Sequence, residues 1–110
     1  MEQTRTLYTL GNWTVKSGNE VAFIAEWKRF ADWSAKHHGG AGTAYLLQDV
    51  EHPQMFISYG PWDNADAIKA WRGTPEFQAF VGNVRMLCEN FVPHSMKLAA
   101  TSIAEQLLEP

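Results

Sequence analysis

The segment from Trp62 to Phe91 constrains the fold most strongly, because it carries the signals of two consecutive helices. Asp63 is predicted to cap the first helix, with Asp66 three residues later, where its carboxylate can reach the free N–H groups of the first turn. Gly73 ends this helix and Thr74-Pro75 starts another, since threonine caps well and proline at the first helical position lacks an N–H that would have no partner. The segment therefore predicts a short helix followed directly by a longer one.

Apolar residues of the longer helix recur every three or four positions, which is the spacing of one helix face packed on a core. They are Phe77, Phe80, Val81, Val84, Leu87, Cys88 and Phe91. We therefore expect the thiol of Cys88 to be buried on this helix as a small hydrophobic group. As the single cysteine, it cannot form an internal disulfide.

The other segments predict four strands and one more helix, from their hydrophobic periods and turn residues. In order, the elements are a strand (7–15), a helix from the Gly18-Asn19 turn to about His38, two hairpin strands (43–49 and 54–59), the two helices above, and after Pro93 a last strand (94–101). The order βαββααβ is that of a ferredoxin-like α+β fold with a four-stranded antiparallel sheet.

Apolar side chains lie on both faces of the predicted strands. In the strand at 54–59, Met55, Ile57 and Tyr59 share one face, and Phe56 lies on the other. Three short helices can cover only one face of the sheet, so the second apolar face needs another partner. We therefore expect a two-fold homodimer in which this face meets a second copy of the chain.

Composition excludes several classes of protein. A chain of 110 residues is expected to form one domain (1–110), with a core at about 8–101 and a tail at 102–110. The net charge of -3 and the scattered lysines and arginines argue against nucleic-acid binding. No run approaches the roughly 18 apolar residues of a membrane helix, and the N-terminal sequence lacks a secretory pattern, so a cytoplasmic protein is expected.

In the tail, Ser102 and Glu105 have the spacing of a weak capping box, which predicts either a helical turn or an arm that binds the partner subunit.

The pattern from Trp62 to Phe91 resembles the antibiotic biosynthesis monooxygenase family, in which a strand ends in a tryptophan followed by an acidic cap, a short helix with a tryptophan, a turn with proline and a long last helix. The sequence 13–18, WTVKSG, is similar to the first strand and turn of that family, and 46–49, LLQD, to its second strand. The resemblance covers roughly residues 8 to 100 and implies a dimeric α+β barrel. Its members include oxygenases, haem-degrading proteins and proteins of no known activity.

The chain contains five tryptophans, three tyrosines and six phenylalanines, more aromatic bulk than a core of this size needs. This excess predicts a cavity for a flat apolar ligand between sheet and helices. Trp27 and Trp62 follow the packing period and are interpreted as core, whereas Trp33 lies off the stripe and is predicted at the surface or a dimer contact. For Trp13 and Trp71, core and cavity wall are both open; the resemblance implies a cavity position for Trp71.

The resemblance implies, as the first hypothesis, a cofactor-independent monooxygenase acting on a small aromatic or quinone-like metabolite. Such a substrate supplies its own reducing power once a phenolic proton is lost, so no cofactor and no metal are predicted. The protein then needs an aromatic slot, a base and donors for an oxyanion. The candidates are Trp13, Trp71 and Phe80 for the slot, Asn12 together with Tyr45 or Tyr59 as donors, and His94 as the base.

The alternative is a non-catalytic dimeric ligand carrier or stress-related binding protein on the same scaffold, and haem breakdown is a third hypothesis. Haem breakdown ranks last because the resemblance implies an iron-binding histidine close to Val81, whereas the segment 74–93 contains none, and Asn12 is one position out of register. His37 and His38 point about 100° apart on a helix, which disfavours a shared metal ion.

Overall fold

The computed structural model describes residues 5–104, which form a four-stranded antiparallel sheet with three helices on one face. The elements are β1 (Leu7–Val15), α1 (Glu20–His37), β2 (Tyr45–Gln48), β3 (Met55–Trp62), α2 (Ala65–Arg72), α3 (Pro75–Leu87) and β4 (Cys88–Lys97). The strand order is β2-β3-β1-β4, with β2 and β4 at the edges. The predicted βαββααβ order and ferredoxin-like fold are confirmed.

The core consists mainly of aromatic rings between the sheet and the helices. Its buried members are Trp13, Val15, Phe23, Phe30, Phe56, Phe80, Val84 and Cys88. Phe30 of α1 and Phe80 of α3 stack with ring centroids 4.3 Å apart, which joins the two longest helices. Trp33 is partly buried, packs against this core and stacks on Phe30 at 5.7 Å, so it is not a free surface ring; the alternative, a dimer contact, stays a prediction.

The helix caps agree with the sequence at one site and differ at another. Thr74 caps α3 as predicted, since its Oγ1 accepts a hydrogen bond from the N–H of Phe77 at 3.1 Å. Asn64 caps α2, and its Oδ1 accepts from the N–H of Ala67 at 2.8 Å. The prediction of Asp63 as this cap is wrong, because the Asp63 carboxylate accepts instead from the guanidinium of Arg5 at 2.7 Å.

The start of β4 is the largest departure from the predicted elements. The chain leaves α3 at Leu87, and β4 runs from Cys88 to Lys97, not from His94 to Thr101. A register shift opposite Thr14 and Val15 places Val15 beside Cys88 and Trp13 beside Phe91, so one extra residue is inserted in β4. Because of this bulge, Cys88 and Phe91 both face the core although they are three residues apart in a strand. Their spacing therefore resembles that of a helix.

Pro93 lies inside β4 rather than before it. Proline is tolerated there because β4 is an edge strand, and only one side of it must donate ladder hydrogen bonds. Residues 5–104 include no helix that is both long and apolar enough to cross a membrane. The predicted capping box reaches Glu105, which lies outside the described residues.

Gly11 is predicted to be required for the packing of Trp13. A Cβ atom at this position would lie 2.8 Å from Nε1 of Trp13 and 3.0 Å from Oγ of Ser58. We expect Gly11→Ala to lower the free energy of unfolding by roughly 1–3 kcal/mol, the usual cost of overpacking a core. Gly82→Ala is the control, because a Cβ on that exposed helical residue meets nothing within 4 Å. It should instead gain roughly 0.5–1 kcal/mol of helix propensity. Urea denaturation measures both values, and equal effects would contradict this account of Gly11.

Cys88 is predicted to react slowly with alkylating reagents. Burial raises the pKa of its thiol from 9.0 to about 11, against a smaller opposite effect of Lys16. The thiolate is the reactive form, and below pH 9 the raised pKa makes its population about a hundredfold smaller than that of an unshifted thiol. The rate of alkylation should therefore be low and should keep rising between pH 9 and 11. Iodoacetamide labelling followed by mass spectrometry measures the rate, with the protein unfolded in guanidinium as the control. Equal rates in the folded and unfolded protein would contradict the burial of this thiol.

Candidate functional site: an aromatic cavity between sheet and helices

A cavity of about 340 Å³ lies between the inner face of the sheet and the three helices. Its walls are mainly apolar, and rings from Trp13, Trp27, Phe30, Trp71, Phe80 and Phe91 are among the groups that line it. A volume of this size is at the lower end of the range for small-molecule sites. The cavity therefore suits a small flat apolar ligand.

Two serine hydroxyls accept hydrogen bonds from indole N–H groups at this site. Nε1 of Trp13 donates to Oγ of Ser58 at 3.0 Å, and Nε1 of Trp71 donates to Oγ of Ser34 at 2.8 Å. Ser34 in turn donates to the carbonyl oxygen of Phe30 at 2.8 Å, so the one hydrogen of its hydroxyl is not free to bind a ligand. These bonds fix the orientation of two rings in the cavity wall.

Two other hydroxyls keep a hydrogen atom for a ligand. Thr9 accepts from Nε1 of Trp62 at 3.1 Å, and Ser58 accepts from Trp13. Neither hydroxyl donates to another of the described residues, and both residues line the cavity from the sheet. The sheet therefore presents two hydrogen-bond donors within a mostly apolar enclosure, where such donors are most effective.

The structure brings three of the predicted site residues together. Trp13, Trp71 and Phe80 all line the cavity with their rings, and Tyr59 also borders it, although its side chain lies on the other face of the sheet. The ring centroids of Trp13 and Phe80 are 5.9 Å apart, and Phe30 lies 5.7 Å from Trp71 and 4.3 Å from Phe80. These three rings therefore belong to one cavity wall, and their role in a slot stays a prediction.

The other four predicted residues have their side chains on the opposite face of the sheet. Asn12 directly follows Leu10 on that face, since alternate residues of β1 point the same way. Leu10 pairs with Tyr59 on one side and His94 on the other, and Tyr45 pairs with Tyr59. The seven side chains therefore do not surround one slot within a protomer. Their individual roles stay predictions.

The family of the protein follows from comparison with known proteins. Residues 6–83 match the model of the family named antibiotic biosynthesis monooxygenase. The chain belongs to this family. In the comparison with curated proteins, no sequence matches.

Solved structures of this family share the fold at low sequence identity. SnoaB, a cofactor-independent oxygenase from Streptomyces nogalater, has a TM-score of 0.81 at 18% identity, over 89% of this chain and 97% of SnoaB. A protein from Pseudomonas aeruginosa has a TM-score of 0.75 at 19% identity, over 91% of this chain and 100% of its own. A putative antibiotic biosynthesis monooxygenase from Bordetella bronchiseptica has a TM-score of 0.74 at 18% identity, over 86% of this chain and 97% of its own. These likenesses confirm the fold of this family member.

Sequence reasoning missed several residues that shape the cavity in this monooxygenase-family chain. Trp27 lines the cavity, although its helical spacing had indicated plain core. Ser58 was missed although it alternates with the buried Phe56 and Gly60 on β3. A polar residue at an inward position of an apolar strand needs a hydrogen-bond partner, which was the available signal.

Proposed function

We propose that this protein is a cofactor-independent monooxygenase that acts on a small aromatic or quinone-like metabolite. The observation that carries the proposal is the cavity of about 340 Å³, which combines aromatic walls with two hydroxyl donors on the sheet. Membership of the antibiotic biosynthesis monooxygenase family supports it. The fold shared with SnoaB, named as a cofactor-independent oxygenase, is consistent with it.

The reaction that suits this cavity takes its electrons from the substrate. An anthrone, for example, loses a proton to give an enolate, which passes one electron to dioxygen. The substrate radical and superoxide combine at carbon, and the resulting peroxide takes up a proton from solvent. The O–O bond and the remaining C–H bond of that carbon then break, and loss of water leaves a quinone. One oxygen atom enters the product and the other leaves as water, so the anthrone CH₂ group supplies the four electrons of the overall oxidation.

The proposed contribution of the protein is to bind the ring system and to stabilise the anion. Trp13, Trp71 and Phe80 hold the flat rings, and the hydroxyls of Thr9 and Ser58 donate hydrogen bonds to the enolate oxygen. These donors lower the pKa of the bound substrate, which makes the anion accessible near neutral pH. Within residues 5–104 no histidine lines the cavity, and the Asp32 carboxylate in its lining is paired with Lys28 at 2.6 Å, so the proton passes to solvent in this proposal.

We expect the protein, treated with a chelator, to consume dioxygen when 1,8-dihydroxyanthrone is added. Ser58→Ala removes one oxyanion donor and should lower kcat by roughly tenfold to a thousandfold. The exposed turn variant Ser17→Ala is its matched control and should keep the rate. Because Ser58→Ala also leaves the Trp13 N–H unpaired, thermal melting must show that the variant is folded at the assay temperature.

His94→Ala tests the predicted base in the same assay. The sheet separates this side chain from the cavity, so we expect an unchanged rate. A loss of a hundredfold or more would restore His94 as the base and would contradict the cavity mechanism. No oxygen uptake with any of several anthrones and hydroquinones would contradict the oxygenase proposal itself.

The second candidate function is a non-catalytic carrier of the same kind of ligand. It is favoured by one observation, the position of His94 on the face of the sheet away from the cavity. If the protein is a carrier, a bound anthraquinone should quench its tryptophan fluorescence. The protein should then not accelerate anthrone oxidation above the rate in buffer. Binding without oxygen uptake would therefore favour the carrier.

A second copy of the chain is proposed to cover the outer face of the sheet. Large hydrophobic side chains on this face are 39–53% exposed, namely Tyr45, Leu47, Met55, Ile57, Val92 and Met96. Leu47 pairs with Ile57, Ile57 with Asn12, and Asn12 with Val92, so the exposed groups form a continuous surface across all four strands. A continuous apolar patch of this kind is typical of an interface, and a two-fold axis would bury it against itself.

Sedimentation velocity at micromolar concentration is expected to show a dimer. Ile57→Glu places a charge in the centre of the outer face and should shift the protein to monomer. Ile24→Glu is the matched control, since Ile24 lies on α1 and is 40% exposed against 43% for Ile57. A monomeric wild-type protein, or equal dissociation by both substitutions, would contradict this interface.

A further inference from the structure

Arg72 differs from every other cationic side chain of the protein in its burial. The nine lysines and arginines all lie within the described residues, and Arg72 is the one that is not exposed. It is the last residue of α2 and directly follows Trp71 of the cavity wall. Its position in the fold is therefore unlike that of an ordinary solvated surface arginine.

Arg72 lies where two cavities meet. It lines the aromatic cavity of about 340 Å³ and also a groove of about 580 Å³ beside α3 and β4. Phe77, Val81 and Phe91 likewise line both, so the two spaces share one wall. A ligand whose rings fill the aromatic cavity would therefore reach Arg72 with a substituent at its edge.

The charge of Arg72 has no protein partner among the described residues. Arg5, Lys28 and Arg29 each pair with a carboxylate, at 2.7, 2.6 and 2.6 Å. At the aromatic cavity, the Lys28–Asp32 pair cancels its own charge, so Arg72 supplies the net positive charge of the lining. Arg72 is partly buried as a residue, and a cationic side chain with reduced access to water and no counter-charge would gain from an anionic ligand.

We infer that the ligand of the aromatic cavity is a flat aromatic compound with an anionic substituent, which Arg72 binds. This inference rests on the proposed function and specifies its substrate class. A guanidinium matches a carboxylate through two parallel N–H···O bonds, and such charge-assisted bonds are stronger than neutral ones. Arg72 thus selects carboxylated or readily ionised aromatic compounds over neutral ones of the same shape.

The test compares two probes with the same ring system, anthraquinone-2-carboxylate and 2-(hydroxymethyl)anthraquinone. Quenching of tryptophan fluorescence gives a Kd for each. We expect the wild-type protein to bind the carboxylate at least tenfold more tightly, with a preference that shrinks as salt is added. In Arg72→Gln the two Kd values should become equal while that of the neutral probe stays unchanged.

Two further variants make the test specific. Arg85→Gln is the matched control, because Arg85 lines the neighbouring groove but not the aromatic cavity, and it should keep the preference. Arg72→Lys keeps the charge but loses the paired geometry, so its preference should be intermediate.

Three results would overturn the inference. These are equal affinities in the wild-type protein, a preference that survives Arg72→Gln, or binding of neither probe. Oxygen uptake with neutral 1,8-dihydroxyanthrone separates this failure from that of the proposed function, because that substrate needs no contact with Arg72. Uptake together with equal affinities would leave the oxygenase intact and remove only the anionic substrate class.

Discussion

The packing of Trp13 holds the two layers of this protein together. Its ring stacks on Phe91 of β4 at 3.9 Å, meets Phe23 of α1 at 5.1 Å and Phe80 of α3 at 5.9 Å, and its N–H binds Ser58 of β3. One side chain of β1 therefore contacts both neighbouring strands and two helices. This arrangement depends on the absence of a side chain at position 11, where a Cβ would meet the indole nitrogen.

The fold could be predicted from the sequence because its signals are local. Thr74-Pro75 marks a helix start whatever lies elsewhere, and the alternation of 7–15 marks a strand. The error at β4 has the opposite origin. Cys88 and Phe91 have helical spacing only because a bulge adds one residue to the strand, and that bulge is created by pairing with β1. A local pattern carries no signal of such a pairing.

The site was predicted less well than the fold, for a related reason. Aromatic rings and hydrogen-bonding residues were chosen by type, and type does not say on which face of a sheet a side chain lies. Asn12 and Trp13 are neighbours in sequence, yet the sheet separates their side chains. Register decides the question, and it places the aromatic slot on the helix side and the group around His94 on the outer side.

The two faces of the sheet consequently have different chemistry. On the inner face, two indole N–H groups, those of Trp13 and Trp62, are each paired with a hydroxyl, which removes the cost of burying a polar group in an aromatic core. A hydroxyl that accepts such a bond still has its own hydrogen to donate, so this packing solution also supplies donors at Thr9 and Ser58. In the proposed mechanism, the hydrogen bonds from the sheet hold the enolate oxygen, whereas the charge of Arg72 at the cavity edge holds a separate anionic substituent. Under this proposal, stabilising the enolate takes the place of a buried base, since a substrate gives up its proton more readily when its conjugate base is the form that the site favours.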